Sequence, residues 1–329
     1  MKFECMQCGG NMLYSLEARK MVCPNCGGED CYEINKSEST TMLCPSCGTP
    51  IETGEFTSAT KCKSCGNYLI LDERVEGDKK PNMIIPFRIW KRSAGKILEQ
   101  AFKKNIFTPM SFLSTKTLEK IEGYYVPFFL YDYDVKSTFV ADATKVRTWR
   151  TGDYRYTETS YYEVVRKMSA SYDNVPADAS EGMPDDVMDL IEPYSYSGLM
   201  DFDPKYLSGF LGEVYNKPAE AYEYRANDKV KESSYSLIQE SIQGFSTVRK
   251  KEYTNDIKNK NTDFALLPVW IYDYSWGGKV YRFYVNGQSG KVVGTAPVSK
   301  LKVLLYTLVS GGFVYLGVKL LCAILEVGL

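Results

Sequence analysis

The chain has 329 residues, a net charge of −1, 44% apolar and 25% charged residues, so it has room for small modules plus one or two further folded domains. It contains no histidine, which removes Ser-His and Cys-His nucleophile pairs, a His general base and every His-containing metal site. Its 26 tyrosines suit strand-rich structure.

Eight of the ten cysteines fall in four Cys-x-x-Cys pairs: Cys5/Cys8, Cys23/Cys26, Cys44/Cys47 and Cys62/Cys65. The last four repeat the first four with an offset of 39 residues, so one unit, C-x2-C-x14-C-x2-C, occurs twice in tandem. A glycine follows the second cysteine of every pair, where a tight knuckle needs positive φ and backbone N–H groups turned toward sulfur. The spacing predicts two four-cysteine zinc ribbons, residues 1–39 and 40–72, each closing a tetrahedron on one Zn²⁺. Four thiolates leave no open position, so both ions are expected to be structural. A disulfide scaffold would need an oxidising compartment, and the start MKFECMQCGG carries no apolar signal-peptide region. A thioredoxin-like redox pair would need a βαβ context that these short loops do not supply. Cys31 and Cys322 are left over and read as inert thiols.

Residues 73–82 are charged, contain Pro and Gly, and read as a linker. Residues 83–299 read as one α+β domain with an antiparallel sheet. Its predicted elements are a strand at Ile84–Trp90, a helix from Ser93 to about Ile106, and a strand Tyr124–Val135. Two long β segments follow, Thr138–Arg150 and Tyr154–Ser171, about a turn at Thr151-Gly152-Asp153. Pro184, Pro204 and Pro218 each sit where a helical turn can begin, the last opening a long helix that ends near Gly244. A polar loop then precedes strands Phe264–Tyr274 and Lys279–Val285, paired about Trp276-Gly277-Gly278, and a turn at Asn286-Gly287 leads into Lys291–Thr295. Pro127–Asp134 (PFFLYDYD) echoes Pro268–Ser275 (PVWIYDYS), which suggests that a helix-plus-hairpin unit is duplicated. Asp132, Asp134 and Asp273 could suggest an acidic catalytic cluster. Asp132 and Asp134, however, alternate onto the face of Phe128 and Leu130 and read as the point where that face meets solvent.

Val303–Leu325 carries one charge, Lys319, and is long enough to span a bilayer; residues 300–329 are therefore expected to form a C-terminal transmembrane helix. Lys300 and Lys302 precede the span and only Glu326 follows it, which places the N-terminal bulk in the cytoplasm of a single-pass cell-membrane protein. Nucleotide hydrolysis has no visible machinery: there is no G-x-x-x-x-G-K-[ST], and Gly278-Lys279 and Gly290-Lys291 lie in hairpin turns.

Several runs resemble a known group of proteins. They are the tandem knuckles, Ile85-Pro86-Phe87, Tyr125-Val126-Pro127-Phe128, Lys145–Thr159 (KVRTWRTGDYRYTET), Leu266-Leu267-Pro268-Val269-Trp270 and Val285–Gly294 (VNGQSGKVVG). Together they resemble the TFIIB-type zinc-ribbon proteins of Firmicutes and related bacteria, often labelled primosomal (PriA-type) replication-restart helicases, and the resemblance covers nearly the whole chain. It also implies kinship with membrane zinc-ribbon proteins that dock flotillin-like (SPFH) and phage-shock-protein-A-like envelope-stress proteins.

The function expected on these grounds is a non-enzymatic, membrane-anchored zinc-ribbon adaptor that docks cytosolic or membrane-associated partner proteins, in envelope stress. The alternative is a nucleic-acid-binding zinc-ribbon protein of replication restart or transcription, without helicase activity of its own. For that, Arg19, Lys20, Lys61 and Lys63 could form a basic strip. Residues 1–80 nevertheless hold nine Lys/Arg against twelve Asp/Glu, and two zinc-tetrathiolate centres would add further negative charge, which disfavours phosphate binding there. An enzyme using Asp132, Asp273 or a tyrosine has no nameable nucleophile–base pair.

Overall fold

The computed structural model describes residues 1–35, 43–51, 53–103, 105–113 and 120–327, so the expected junction at 39/40 lies outside the described residues. The architecture is α+β, built on a ten-stranded sheet.

The first four-cysteine unit consists of β1 (Lys2–Cys5) paired with β4 (Tyr32–Asn35), and the hairpin β2 (Leu13–Ser15)–β3 (Lys20–Val22). The second contributes the hairpin β5 (Thr57–Lys61)–β6 (Tyr68–Ile70). The expected linker opens instead as a helical turn, α1 (Asp72–Val75), whose Val75 is fully buried. An apolar side chain in a charged run marks a packed element here, because one valine is enough to pin a single turn.

The central part runs β7 (Met83–Ile84), α2 (Lys91–Lys103), β8 (Glu122–Thr151), β9 (Tyr154–Asp178), α3 (Asp185–Ile191), β10 (Met200–Asp201), β11 (Leu211–Glu213), α4 (Glu223–Glu240), β12 (Thr247–Trp276), β13 (Lys279–Asn286), β14 (Val292–Val293) and α5 (Lys300–Val327). The sheet order is β10-β7-β12-β8-β11-β5-β6, with β9 also on β8, β13 on β12 and β14 on β13. Alternate side chains of the central strands enter two cores. Tyr125, Tyr131, Tyr133, Leu266 and Tyr272 pack with α2, α4 and the four-cysteine units on one face, while Val126, Phe128, Leu130, Ala265, Leu267 and Val269 pack with α3 on the other. Phe3, Met12 and Met21 belong to the first of these cores, so the N-terminal units and the central part share a hydrophobic interior.

The register exposes a local twofold relation. Val126 of β8 lies opposite Leu267 of β12, and the offset between them, 267 − 126 = 141, also takes Pro127 to Pro268. The same offset relates the positions on β8 and β12 at which the outer neighbours pair. β7 pairs in parallel with β12 at Met83↔Ala265 and Ile84↔Leu266; β11 pairs in parallel with β8 at Leu211↔Tyr124 and Gly212↔Tyr125. Each half is a short strand, a helix and a long hairpin, and each lends its short strand to the other half's hairpin. Beyond β7 lies β10, antiparallel, and at the matching place beyond β11 lies β5, with Met200↔Ile84 corresponding to Ala59↔Gly212. The second four-cysteine unit thus continues the central sheet.

The twofold relation breaks at one end. β8 and β9 run on as a long hairpin, paired as far as Thr151↔Tyr154, and residues 247–262 join them as the first half of β12. This stretch, expected as a polar loop, is a strand: its outer edge and one face meet solvent, so its sequence has little of the apolar alternation that betrays a half-buried strand. α4 covers the other face of this arm, with Ile238 and Tyr235 on Phe139 and Ala141. The predicted break at 136–137 within β8 is absent; the strand is continuous over 30 residues because β12 and β9 flank it on both sides. The predicted strand Ile84–Trp90 is only two residues long, and Ile106 lies outside α2 and is 56% exposed.

Candidate metal centres and membrane helix

Each Cys-x-x-Cys pair forms the same knuckle. The N–H of Gly9 donates to the Cys5 carbonyl at 2.8 Å and that of Cys5 to Gly10 at 2.8 Å; Gly27 and Cys23, Gly48 and Cys44, and Gly66 and Cys62 repeat the turn. The turning glycines have φ of +70°, +74°, +72° and +76°, where any other residue would be strained. The first cysteine of every pair is buried and the second exposed.

These knuckles bring Cys5, Cys8, Cys23 and Cys26 together as one group and Cys44, Cys47, Cys62 and Cys65 as another, with all sulfurs in a group within 4.8 Å of one another. Sulfur–sulfur separations are 3.6 Å for Cys5–Cys26, 3.4 Å for Cys8–Cys23, 3.6 Å for Cys44–Cys65 and 3.7 Å for Cys47–Cys62. A tetrahedral ion with bonds to sulfur of about 2.3 Å places its ligands about 3.8 Å apart, whereas a disulfide needs about 2.0 Å. The quartets therefore fit two metal ions.

The electrostatics agree. Burial works against ionisation of Cys5, but the N–H groups of Gln7 and Cys8 point at its sulfur and draw the thiol down to about 6. The Thr49 hydroxyl and N–H draw Cys47 down to about 6. Their partners move the other way. The Gly10 N–H favours the Cys8 thiolate, yet the facing sulfurs of Cys23 and Cys26 push it up to about 12; Cys65 is also pushed up to about 12, where the Asn67 N–H is outweighed by burial and by the sulfurs of Cys44 and Cys47. Four touching thiols cannot all carry charge unless a cation sits among them. Cys31 stands at the position of Ile70 in the second unit and is outside the quartet, its thiol pushed up by burial. Cys322 is exposed on α5.

Specific bonds hold the two units to each other and the first of them to the body. The Met1 ammonium donates to the Ile70 carbonyl and pairs with Asp72, the Ser208 hydroxyl donates to the Met12 carbonyl at 2.6 Å, and the Tyr14 N–H donates to Ser208 at 3.0 Å. Of the four cations expected to form a basic strip, Lys20 pairs with Glu29 and Lys61 lies over the Tyr68 ring at 5.4 Å.

α5 contains a 20-residue stretch, Lys300–Lys319, long and apolar enough to cross a membrane, and none of it is buried in the protein. A core helix of this composition would bury such a surface; at 1.5 Å per residue the stretch is about 30 Å long, the thickness of a bilayer's hydrocarbon. Its root is fixed by Lys302, which donates to the Thr108 carbonyl at 2.7 Å, and by the Tyr306 ring against Phe107 at 5.6 Å.

The three aspartates do not converge on a reaction centre. Asp132 accepts the Asn174 N–H at 2.8 Å, Asp134 accepts the Ser171 hydroxyl at 2.6 Å, and Asp273 receives Arg282 through both oxygens at 2.7 and 2.8 Å. Sequence reasoning missed a charge network in which buried Arg225 of α4 bonds buried Asp178 and the more exposed Asp185 and Asp189. These residues are scattered over three elements, and no local spacing announces them.

No family model and no solved structure matches the chain. It is 34% identical over 328 residues to the uncharacterized protein YdjG of Bacillus subtilis (strain 168), a match that spans 97% of this chain and 96% of that protein. Sharing that identity from end to end, the chain belongs to the YdjG family.

Proposed function

We propose that this protein is a non-enzymatic, membrane-anchored adaptor that carries two structural Zn²⁺ ions and docks cytosolic or membrane-associated partner proteins at the cell membrane. The observation that carries the reading is α5, an apolar helix outside the core whose root is bonded to the body. Such a helix would hold the sheet and the N-terminal units as one block at the membrane surface, with Lys300 and Lys302 on the cytoplasmic side. Zinc suits an all-cysteine quartet with sulfur edges of this length, and four ligands leave it no catalytic position. Engagement of Asp132, Asp134 and Asp273 in structural bonds supports a role without chemistry. The chain's resemblance to zinc-ribbon membrane proteins suggests flotillin-like or phage-shock-protein-A-like proteins as the partners.

The test is a crosslinked pull-down from detergent-solubilised membranes, with and without nuclease, identified by mass spectrometry. Nuclease-resistant recovery of one or two envelope proteins is expected. Absence of the protein from the membrane fraction, or recovery of no partner that survives nuclease, would overturn the adaptor reading.

A further inference from the structure

The long arm has a bare end. α4 covers it as far as Phe139 and Ala141, and β12 begins at Thr247 opposite Thr144, with Ser246 receiving the last bond from Val146. From there Lys145–Thr151 and Tyr154–Ser160 form a ribbon two strands wide, and every residue from 145 to 159 is exposed. At about 3.3 Å per residue it projects about 20 Å beyond the covered sheet. A lone two-stranded hairpin is marginal in water, so this length adds little to the stability of the body.

The ribbon is cationic in a chain whose net charge is −1: it carries Lys145, Arg147, Arg150 and Arg155 against Asp153 and Glu158. Residues directly opposite in an antiparallel pair share a face. Lys145 and Arg147 therefore lie on the face of Trp149, and Arg150 and Arg155 on the other, directly across from each other. Like charges so placed destabilise a hairpin. Neither guanidinium has an ion-pair or hydrogen-bond partner among the described residues. Two adjacent guanidiniums without a counter-ion form a fork for phosphate oxygens. On the first face Arg147 lies over Trp149 at 5.7 Å, and Trp149 stacks on Tyr156 at 5.7 Å, so the rings stiffen the ribbon and hold its cation in place.

We propose that hairpin 145–160 is a DNA-binding arm that enters the major groove of a duplex. That groove admits a two-stranded ribbon and has a phosphate wall on each side. Cations on both faces match two walls, whereas a flat anionic bilayer would meet only one face. The deep, narrow major groove of duplex RNA would exclude the ribbon. The inference depends on neither the metal sites nor the adaptor reading.

The experiment is fluorescence anisotropy of a labelled 20-base-pair DNA duplex with the full-length protein in nonionic detergent, across a salt series. Four phosphate contacts predict a log–log salt slope of about −3.6, at about 0.9 per phosphate. Arg150→Ala with Arg155→Ala should flatten it to about −1.8. Arg155→Glu, which replaces the like-charged pair by an opposite one, should weaken DNA binding while leaving the melting temperature unchanged or higher, which separates a binding role from a folding one. A duplex RNA of the same sequence should bind at least about tenfold more weakly, given the groove it presents. Phosphatidylglycerol nanodiscs should not displace the DNA. No DNA binding at low salt, a slope unaffected by the arginine variants, equal binding of duplex RNA, or displacement by phosphatidylglycerol but not phosphatidylcholine nanodiscs would each overturn the proposal.

Discussion

Arg225 offers the sharpest test of what holds α4 to the body. Its side chain is 8% exposed and bonds Asp178, Asp185 at 3.2 Å and Asp189 at 2.9 Å, tying α4 to the end of β9 and to α3. Asp178 is completely buried and its Oδ2 atom has no hydrogen-bond partner among the described residues. Burial pushes the Asp178 carboxyl up to about 6 even with the guanidinium beside it. Arg225→Met keeps most of the aliphatic packing and removes the charge, leaving a buried carboxylate alone. Breaking one side of a buried pair costs about 3–5 kcal/mol, and proton uptake by Asp178 caps the loss near the lower end. The assay is denaturant and thermal unfolding of the detergent-solubilised full chain at pH 7.5 and 5.0. A carboxyl with a raised folded-state value binds its proton more tightly folded than unfolded. Its contribution to stability therefore grows as pH falls from about 6 toward the ordinary carboxylate range, and the deficit of Arg225→Met should shrink at pH 5.0. Adding Asp178→Asn should restore most of the loss at pH 7.5. A deficit below about 1 kcal/mol, one that ignores pH, or one that Asp178→Asn fails to relieve would refute the reasoning.

Four further outcomes are expected. Elemental analysis of the purified protein should find two metal equivalents, reduced to one by Cys23→Ser with the central sheet still folded. Cys62→Ser should in addition raise hydrogen exchange at residues 211–213, because β5 beside Cys62 pairs with β11 in the main sheet. Truncation after Ser299 should move the protein from the membrane pellet to the supernatant, and a truncated chain that still sediments would remove the anchor. Gly287→Ala should destabilise by about 1–3 kcal/mol in thermal unfolding, since a Cβ there would stand 2.6 Å from Phe87 and 2.7 Å from Pro268.

The cysteine quartets were legible in the chain because their constraint is local. A knuckle needs two cysteines three positions apart and a glycine at positive φ, and nothing distant can substitute for either. The apolar run at 303–325 was legible for the same reason: helix length and hydropathy are properties of a single segment. The duplicated hairpins left a trace in Pro127–Asp134 and Pro268–Ser275, since both strands face the same two cores and need the same apolar and aromatic positions.

Other features depended on partners far along the chain. Residues 247–262 are polar and were expected as a loop, and they form a strand because β8 offers an edge of matching length more than a hundred residues earlier. Val75 looked like part of a linker and is a core residue. Arg150 and Arg155 are ordinary surface arginines in the sequence; only the register of β8 on β9 sets them face to face, and Arg225 finds its aspartates only when α4 crosses the end of β9. By itself the sequence determined the two cysteine quartets, the apolar helix and the helix-and-hairpin units, because each is specified by residues within one turn or one segment. Which strands pair, which charges are buried and which cations stand unpaired at the tip were decided by tertiary structure, because those energies depend on neighbours that only folding brings within reach.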